Sequence, residues 1–263
     1  MEENPRLFEI FIDVQQGLPR QGPGCEASTL EAFSLCSELP KQSSVLDVGC
    51  GPGMQTVALA KIVDGRITAV DVNQGYLEEL KARAEAANVA DRIEIRTADM
   101  NNLPFADQSF DLIWAEGSAY IMGFRTALAS WNRLLKPGGY IAVSELVWLQ
   151  PDPPKEAAEF FHGEYPAMTD VETVLATIRI CGYLPLGHFT LPDTAWWEHY
   201  YTPLEGKLQG LAKKYKGDDE AFRILEATKS EIEIRRRFAD CYGYEFFIGR
   251  KPADRLSAVG PGQ

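Results

Sequence analysis

From Ser43 onward, short apolar runs alternate with segments whose apolar residues recur at helical spacing. Val45-Leu46-Asp47-Val48 is a compact run ending at glycine and predicts a buried strand. Residues 54–63 carry Val57, Leu59, Ala60 and Val63 as the apolar positions of a helix, closed by Asp64-Gly65. Ile67-Thr68-Ala69-Val70 predicts a second strand. Asn73 is a candidate N-cap for a helix with Leu77, Leu80 and Ala84 on one face, ended by Asn88. Ile93-Glu94-Ile95 predicts a third strand and Leu112-Ile113-Trp114-Ala115 a fourth. A helix over 125–135, stopped by Lys136-Pro137-Gly138-Gly139, leads into a fifth strand over 140–146. Strands alternating with helices call for a parallel sheet with right-handed crossovers and helices on both faces. Ligands in such sheets bind beyond the carboxyl ends of the strands, where the strand order reverses.

The second half breaks this pattern at Pro151-Asp152-Pro153-Pro154. A helix carrying Phe160, Phe161 and His162 is expected next, then another over 170–181. Strands are expected over 187–191 and 244–249, separated by a helical insertion that contains Trp196, Trp197, His199, Tyr200 and Tyr201. Residues after Lys251 read as a polar tail.

Composition narrows the partners. The net charge is −12 over 263 residues, which argues against broad nucleic-acid binding and against an anionic membrane surface. The run Arg235-Arg236-Arg237 follows Glu231 and Glu233 and reads as a solvated helix face. No apolar run approaches the roughly 18 residues of a membrane span, and the acidic start lacks the signature of a signal peptide. Five scattered cysteines with no C-x-x-C pair fit reduced thiols in the cytoplasm. His162, His188 and His199 lack metal-ligand spacing, so no metal site is expected.

The strongest chemical signal is Asp47-Val48-Gly49-Cys50-Gly51-Pro52-Gly53 between a strand and a helix. A backbone that turns sharply beneath a ligand cannot carry Cβ atoms at the contact. The dinucleotide pattern G-x-G-x-x-G wants a small residue where this chain has Met54, and no Lys-Ser/Thr follows to complete a phosphate loop. Asp71, at the end of the second strand, is positioned to accept two hydroxyl hydrogen bonds.

These residues resemble the class I S-adenosylmethionine-dependent methyltransferases, whose loop reads D/E-x-G-x-G-x-G. The resemblance continues in order through Ile67–Asp71, Ala98-Asp99-Met100, Phe110–Trp114 and Leu134–Gly139, and covers roughly residues 43–146. The ending Phe246–Lys251 resembles the last strand of the small-molecule branch, near the ubiquinone/menaquinone-type enzymes. The resemblance implies a Rossmann-like α/β fold: a seven-stranded sheet, mostly parallel with the last strand antiparallel, helices on both faces and a helical lid. It implies one methyltransferase domain over 1–263. Its core would span about 40–147 plus strands near 187–191 and 244–250, with a lid from 1–30, 148–168 and 192–240.

It further implies S-adenosyl-L-methionine as cofactor, S-adenosyl-L-homocysteine as product and a small-molecule methyl acceptor, in a monomer or homodimer. The implied cofactor residues are Gln21, Asp47, Gly49, Cys50, Gly51, Gly53, Gln55, Asp71, Val72, Asp99, Met100 and Glu116. Asp71 would take the ribose and Asp99 the adenine amino group, with Met100 on the ring. Displacement at a sulfonium methyl needs alignment above all, and a base only when the acceptor arrives protonated. Glu116, His162 and His199 are the catalytic candidates, with Glu145 as a further candidate base. The aromatics over 148–168 and 192–245 form either an acceptor pocket for a planar or cationic molecule or the lid's own core. Two other readings remain open on the same residues: a cofactor-binding sensor or non-methylating S-adenosylmethionine enzyme, and, more remotely, an NAD(P)-dependent oxidoreductase.

Overall fold

The computed structural model describes residues 5–253. Two helices precede the sheet, α1 (Pro5–Gln15) and α2 (Glu26–Ser34). The core then runs β1 (Ser43–Val48), α3 (Met54–Ile62), β2 (Gly65–Asp71), α4 (Gln74–Ala86), β3 (Ile93–Thr97), β4 (Phe110–Glu116), α5 (Phe124–Trp131) and β5 (Leu135–Trp148). It continues through α6 (Lys155–Glu164), the two-residue β6 (Thr169–Asp170), α7 (Val171–Ile180) and β7 (Leu184–Thr190). A helical segment follows: α8 (Thr194–Trp196), a π-helical turn over Trp197–Tyr201, α9 (Thr202–Lys214) and α10 (Asp219–Phe238). β8 (Tyr242–Arg250) closes the sheet. The expected polar tail lies, from residue 254 on, outside the described residues.

The sheet order is β3-β2-β1-β4-β5-β8-β7, with β6 pairing beside β5. β8 runs antiparallel to both neighbours, and the other pairings are parallel. The Rossmann-like architecture is therefore as expected, with β6 as a short addition. Because β1 pairs with β2 on one side and β4 on the other, the strand order reverses there, and the ends of these three strands converge on the glycine loop.

Local chemistry sets the boundaries. Asn73 caps α4, its Oδ1 accepting from the amides of Gly75 and Tyr76 at 2.9 and 3.3 Å. Asn88 leaves that helix with a φ of +57°. The expected stop over 136–139 takes another form: pairing steps from Phe110–Leu135 directly to Leu112–Tyr140, so the Lys136–Gly139 turn bulges out of a longer β5.

One face of the sheet buries Val45, Trp114, Tyr140 and Phe246 under α2–α4, and the other buries Leu46, Ile113, Ile141 and Phe247 under α5 and α7. A third core joins α1, α9 and α10 through Ile10, Val14, Trp196, Tyr201, Leu204 and Leu225, and seats them on Tyr242. Arg235 corrects the reading of the basic run as a solvated face. It is 3% exposed, its guanidinium lies 4.0 Å from the Trp196 ring centre, and it donates to Asp193 Oδ1 and the Tyr242 carbonyl. Only Arg236 and Arg237 face solvent, paired with Glu205 and Glu156.

Candidate functional site

The glycine loop folds back over the end of β2, where the amides of Gly49 and Cys50 donate to the Val70 carbonyl at 2.9 and 3.0 Å. Gly49 and Gly53 must be glycine for two reasons. Their φ angles are +70° and +81°, in the left-handed region. A Cβ at Gly49 would also lie 2.5 Å from Ser118 Cβ, and one at Gly53 would run into Leu80.

Four acids surround this loop and are held differently. Asp47 is fully buried; its Oδ2 accepts from Thr56 at 2.6 Å and from Gln55 at 3.4 Å, while Oδ1 has no partner. Burial pushes its carboxyl up to about 7. The Gln55 amide also closes the loop on the Cys50 carbonyl. Asp71 stands half-buried at the rim, Oδ2 accepting from the Gly51 amide and Oδ1 from the Asn73 amide, each at 2.9 Å. Burial raises its pKa against the pull of those amides. Asp99 is exposed and accepts from the Asn101 backbone and side chain, which lower its pKa. Its neighbour Met100 approaches Gly49 from the side of Ser118, while Val72 lies open on the rim.

Glu116, the last residue of β4, has both oxygens engaged. Oε1 accepts from Thr29 at 2.7 Å and Trp114 Nε1 at 3.0 Å, and Oε2 pairs with Arg20 Nη1 at 2.7 Å. Arg20 is 5% exposed, and its Nε and Nη2 are buried without partners. Gly24 has no room for a Cβ because the Arg20 guanidinium occupies it. Next to Arg20, Gln21 lies over Gly51, donating to the Gln15 carbonyl and accepting from the Tyr76 hydroxyl at 2.8 Å. Arg20, Thr29 and Tyr76 are absent from the residues expected at the site. Arg20 and Glu116 are 96 positions apart, and no spacing rule joins them.

Beyond Glu116 the loop after β4 turns at Gly117, beside the Tyr244 ring. Tyr120 follows and meets Tyr165 edge-on at 5.8 Å, and Tyr165 in turn donates to Glu145 Oε1. Glu145 is 3% exposed, and burial pushes it up to about 7. From α10, Glu231 accepts from the Tyr201 hydroxyl at 2.8 Å, and burial raises its pKa as well. Tyr120 is 45% accessible, yet its hydroxyl is desolvated and feels the charges of both Glu145 and Glu231. His162 is exposed on the outer groove beside Trp148, Tyr165 and Met168, and His199 sits in the π-helical turn 3.7 Å from Glu198. No hydrogen bond among the described residues joins either histidine to the glycine loop, Asp71 or Glu116.

A doubly wound sheet with a three-glycine loop at its switch point and an acid at the end of the neighbouring strand defines a nucleoside-cofactor enzyme fold. Residues 45–139 match a family model described as a methyltransferase domain. The O-methyltransferase resE of Aspergillus sclerotiorum is 34% identical over 198 residues, covering 70% of this chain and 75% of that protein. The 27-O-demethylrifamycin SV methyltransferase of Amycolatopsis mediterranei (strain S699) is 27% identical over 86% of this chain and 85% of its own length. A methyltransferase from Geobacter sulfurreducens, crystallised with S-adenosyl-L-homocysteine, shares the fold at a TM-score of 0.76 and 21% identity, covering 94% of this chain and 98% of that one. The chain belongs to the class I S-adenosylmethionine-dependent methyltransferases. No described helix is long and apolar enough to cross a membrane.

Proposed function

We propose that this protein transfers a methyl group from S-adenosylmethionine to a small-molecule acceptor bound beyond the glycine loop, beside the loop after β4. The residues present suit the cofactor. The carboxylate of Asp71, already oriented by two amides, is assigned to the ribose hydroxyls. Gly49, Cys50, Gly51 and Gly53 offer backbone without side chains, and Met100 with Asp99 and Val72 is assigned to the adenine. Asp47 and Gln55 brace the loop from beneath. The observation that carries the reading is Arg20: a buried guanidinium with two free donors beside the glycine loop. Such donors call for an anion, and an amino-acid carboxylate at that end of the cleft supplies one. Glu116 and Gln21 are assigned to positioning this end.

When bound, the cofactor supplies an electrophilic methyl on its sulfonium. The chain's part is alignment and exclusion of water. Proton acceptance is assigned to Glu145. Both oxygens of Glu116 are engaged, one by the Arg20 guanidinium, His162 lies on the outer groove and His199 is 3.7 Å from Glu198. Calorimetry with S-adenosyl-L-homocysteine tests the assignment: Asp71→Ala should weaken binding by about a hundredfold, the cost of two hydrogen bonds to a charged group. The absence of binding by the wild-type protein at about 1 mM ligand would reject the reading.

A further inference from the structure

The segment between α1 and α2, residues 16–24, passes beside the glycine loop. Gln21 Cγ lies 3.6 Å from where a Cβ on Gly51 would be, and the Gly51 amide donates to Asp71. Its neighbour Arg20 reaches Glu116 at the end of β4. The segment is fastened at both ends and in the middle. Upstream, Lys207 of α9 donates to the carbonyls of Asp13, Val14 and Gln16, where α1 ends, and Leu18 is buried in the third core. Downstream, the Gly24 amide donates to the Ala195 carbonyl at 2.9 Å. In the middle, the Tyr76 hydroxyl donates to Gln21 Oε1 at 2.8 Å. Tyr76 belongs to the first turn of α4, just past Asn73, whose amide donates to Asp71. That one bond therefore joins the segment to the element that orients the acid assigned to the ribose.

A ligand gripped by Asp71 and the glycine loop on one side and by Arg20 on the other cannot leave while residues 20 and 21 stay in place. Nor can it enter. The free Nε and Nη2 donors of Arg20 are buried, so a carboxylate from solution reaches them only after the segment moves. A bond that holds the segment shut in both the free and the loaded protein slows entry and exit alike and leaves affinity unchanged.

We propose that residues 16–24 are a strap that lifts to exchange the cofactor, and that Tyr76, acting through Gln21, is the latch that sets how often it lifts. This rests on the methyltransferase reading above. Tyr76 is then a positioning residue, with no contact of its own to the ligand. The test is stopped-flow binding of S-adenosyl-L-homocysteine to the full chain, followed by tryptophan fluorescence, because Trp114 Nε1 donates to the same Glu116 that holds Arg20. Tyr76→Phe keeps the ring and removes the hydrogen bond. Association and dissociation rate constants should both rise about fivefold, with Kd changed by less than about twofold. Lys207→Met, which frees the end of α1, should raise both rate constants by at least about threefold and serves even where Tyr76→Phe does not fold. Rate constants that stay put in a folded variant would overturn the proposal. So would faster dissociation without faster association, which would make Tyr76 a ligand contact. Wild-type protein that binds no S-adenosyl-L-homocysteine would overturn the methyltransferase reading and the strap with it, whereas binding with unmoved rates overturns the strap alone.

Discussion

Replacing Arg20 with methionine separates the two jobs its guanidinium can do. Methionine keeps an unbranched apolar stem in the buried site and removes five N–H donors. In the free protein the change has opposing costs. Breaking a buried ion pair typically costs about 3–5 kcal/mol. Here Glu116 keeps its bonds from Thr29 and Trp114, and two unpartnered buried donors disappear, each of which costs about 1–3 kcal/mol while present. The terms nearly cancel, so the variant should fold with a stability within about 2 kcal/mol of wild type. Ligand binding has no such compensation. Two charge-assisted hydrogen bonds to a carboxylate are worth about 1.5–3 kcal/mol each. The lower figure applies, because Glu116 already draws on the same guanidinium at 2.7 Å. The total of about 3 kcal/mol corresponds to a loss of about a hundredfold in affinity for S-adenosyl-L-homocysteine.

The control is 5′-methylthioadenosine, which has the adenosine and sulfur but no amino-acid carboxylate. Calorimetry on both proteins should show its affinity changed by less than about threefold in Arg20→Met. Equal losses for the two ligands would mean that Arg20 only props the loop and never touches the carboxylate, and the reasoning would fail.

Two further outcomes follow from the same geometry. Gly53→Ala should destabilise by about 2–5 kcal/mol in urea unfolding, combining a left-handed residue with overpacking against Leu80. In a Leu80→Ala background that cost should fall to about 1–2 kcal/mol, and an unchanged cost would refute the steric part. Glu145 titrates near 7 in the folded protein against an ordinary 4.5. Its contribution is therefore full below about 4.5 and lost as pH rises through 7, worth about 3 kcal/mol in all. Glu145→Gln should remove this component. The stability of wild type minus that of Glu145→Gln should fall by about that amount between roughly pH 5 and 8.5, whereas a difference flat with pH would contradict a buried, uncompensated carboxyl.

The glycine loop and Asp71, proposed above to hold the cofactor, could be read from the sequence because they lie within one β-α-β unit. Gly49, Gly51 and Gly53 reveal their left-handed backbone by being glycine, and Asp71 announces itself by ending an apolar run. The hydrogen bonds that fix them come from backbone amides: Gly51 and Asn73 donate to the Asp71 carboxylate, and Cys50 donates to the Val70 carbonyl. Arg20 and Glu116 were both visible as residues, but their pairing spans the chain, and only the folded protein discloses that Gly24 is glycine to make room for a guanidinium. Arg235 misled for the same reason. Three consecutive arginines on a helix look solvated, and only the arrival of Trp196 beneath one of them turns it inward.

The partners of Glu145 and Glu231 were illegible for a related reason: Tyr165 lies 20 positions from Glu145 and Tyr201 lies 30 from Glu231, and no local motif joins either pair. Tyr201 shows the coupling in one side chain: its ring packs in the third core against Trp196, while its hydroxyl donates to Glu231. The setting of Glu231 is thereby tied to the packing of α1, α9 and α10, whereas Asp71 and the glycine loop are fixed by amides of their own β-α-β unit. Changes in the third core should therefore move Glu231 while leaving those bonds standing.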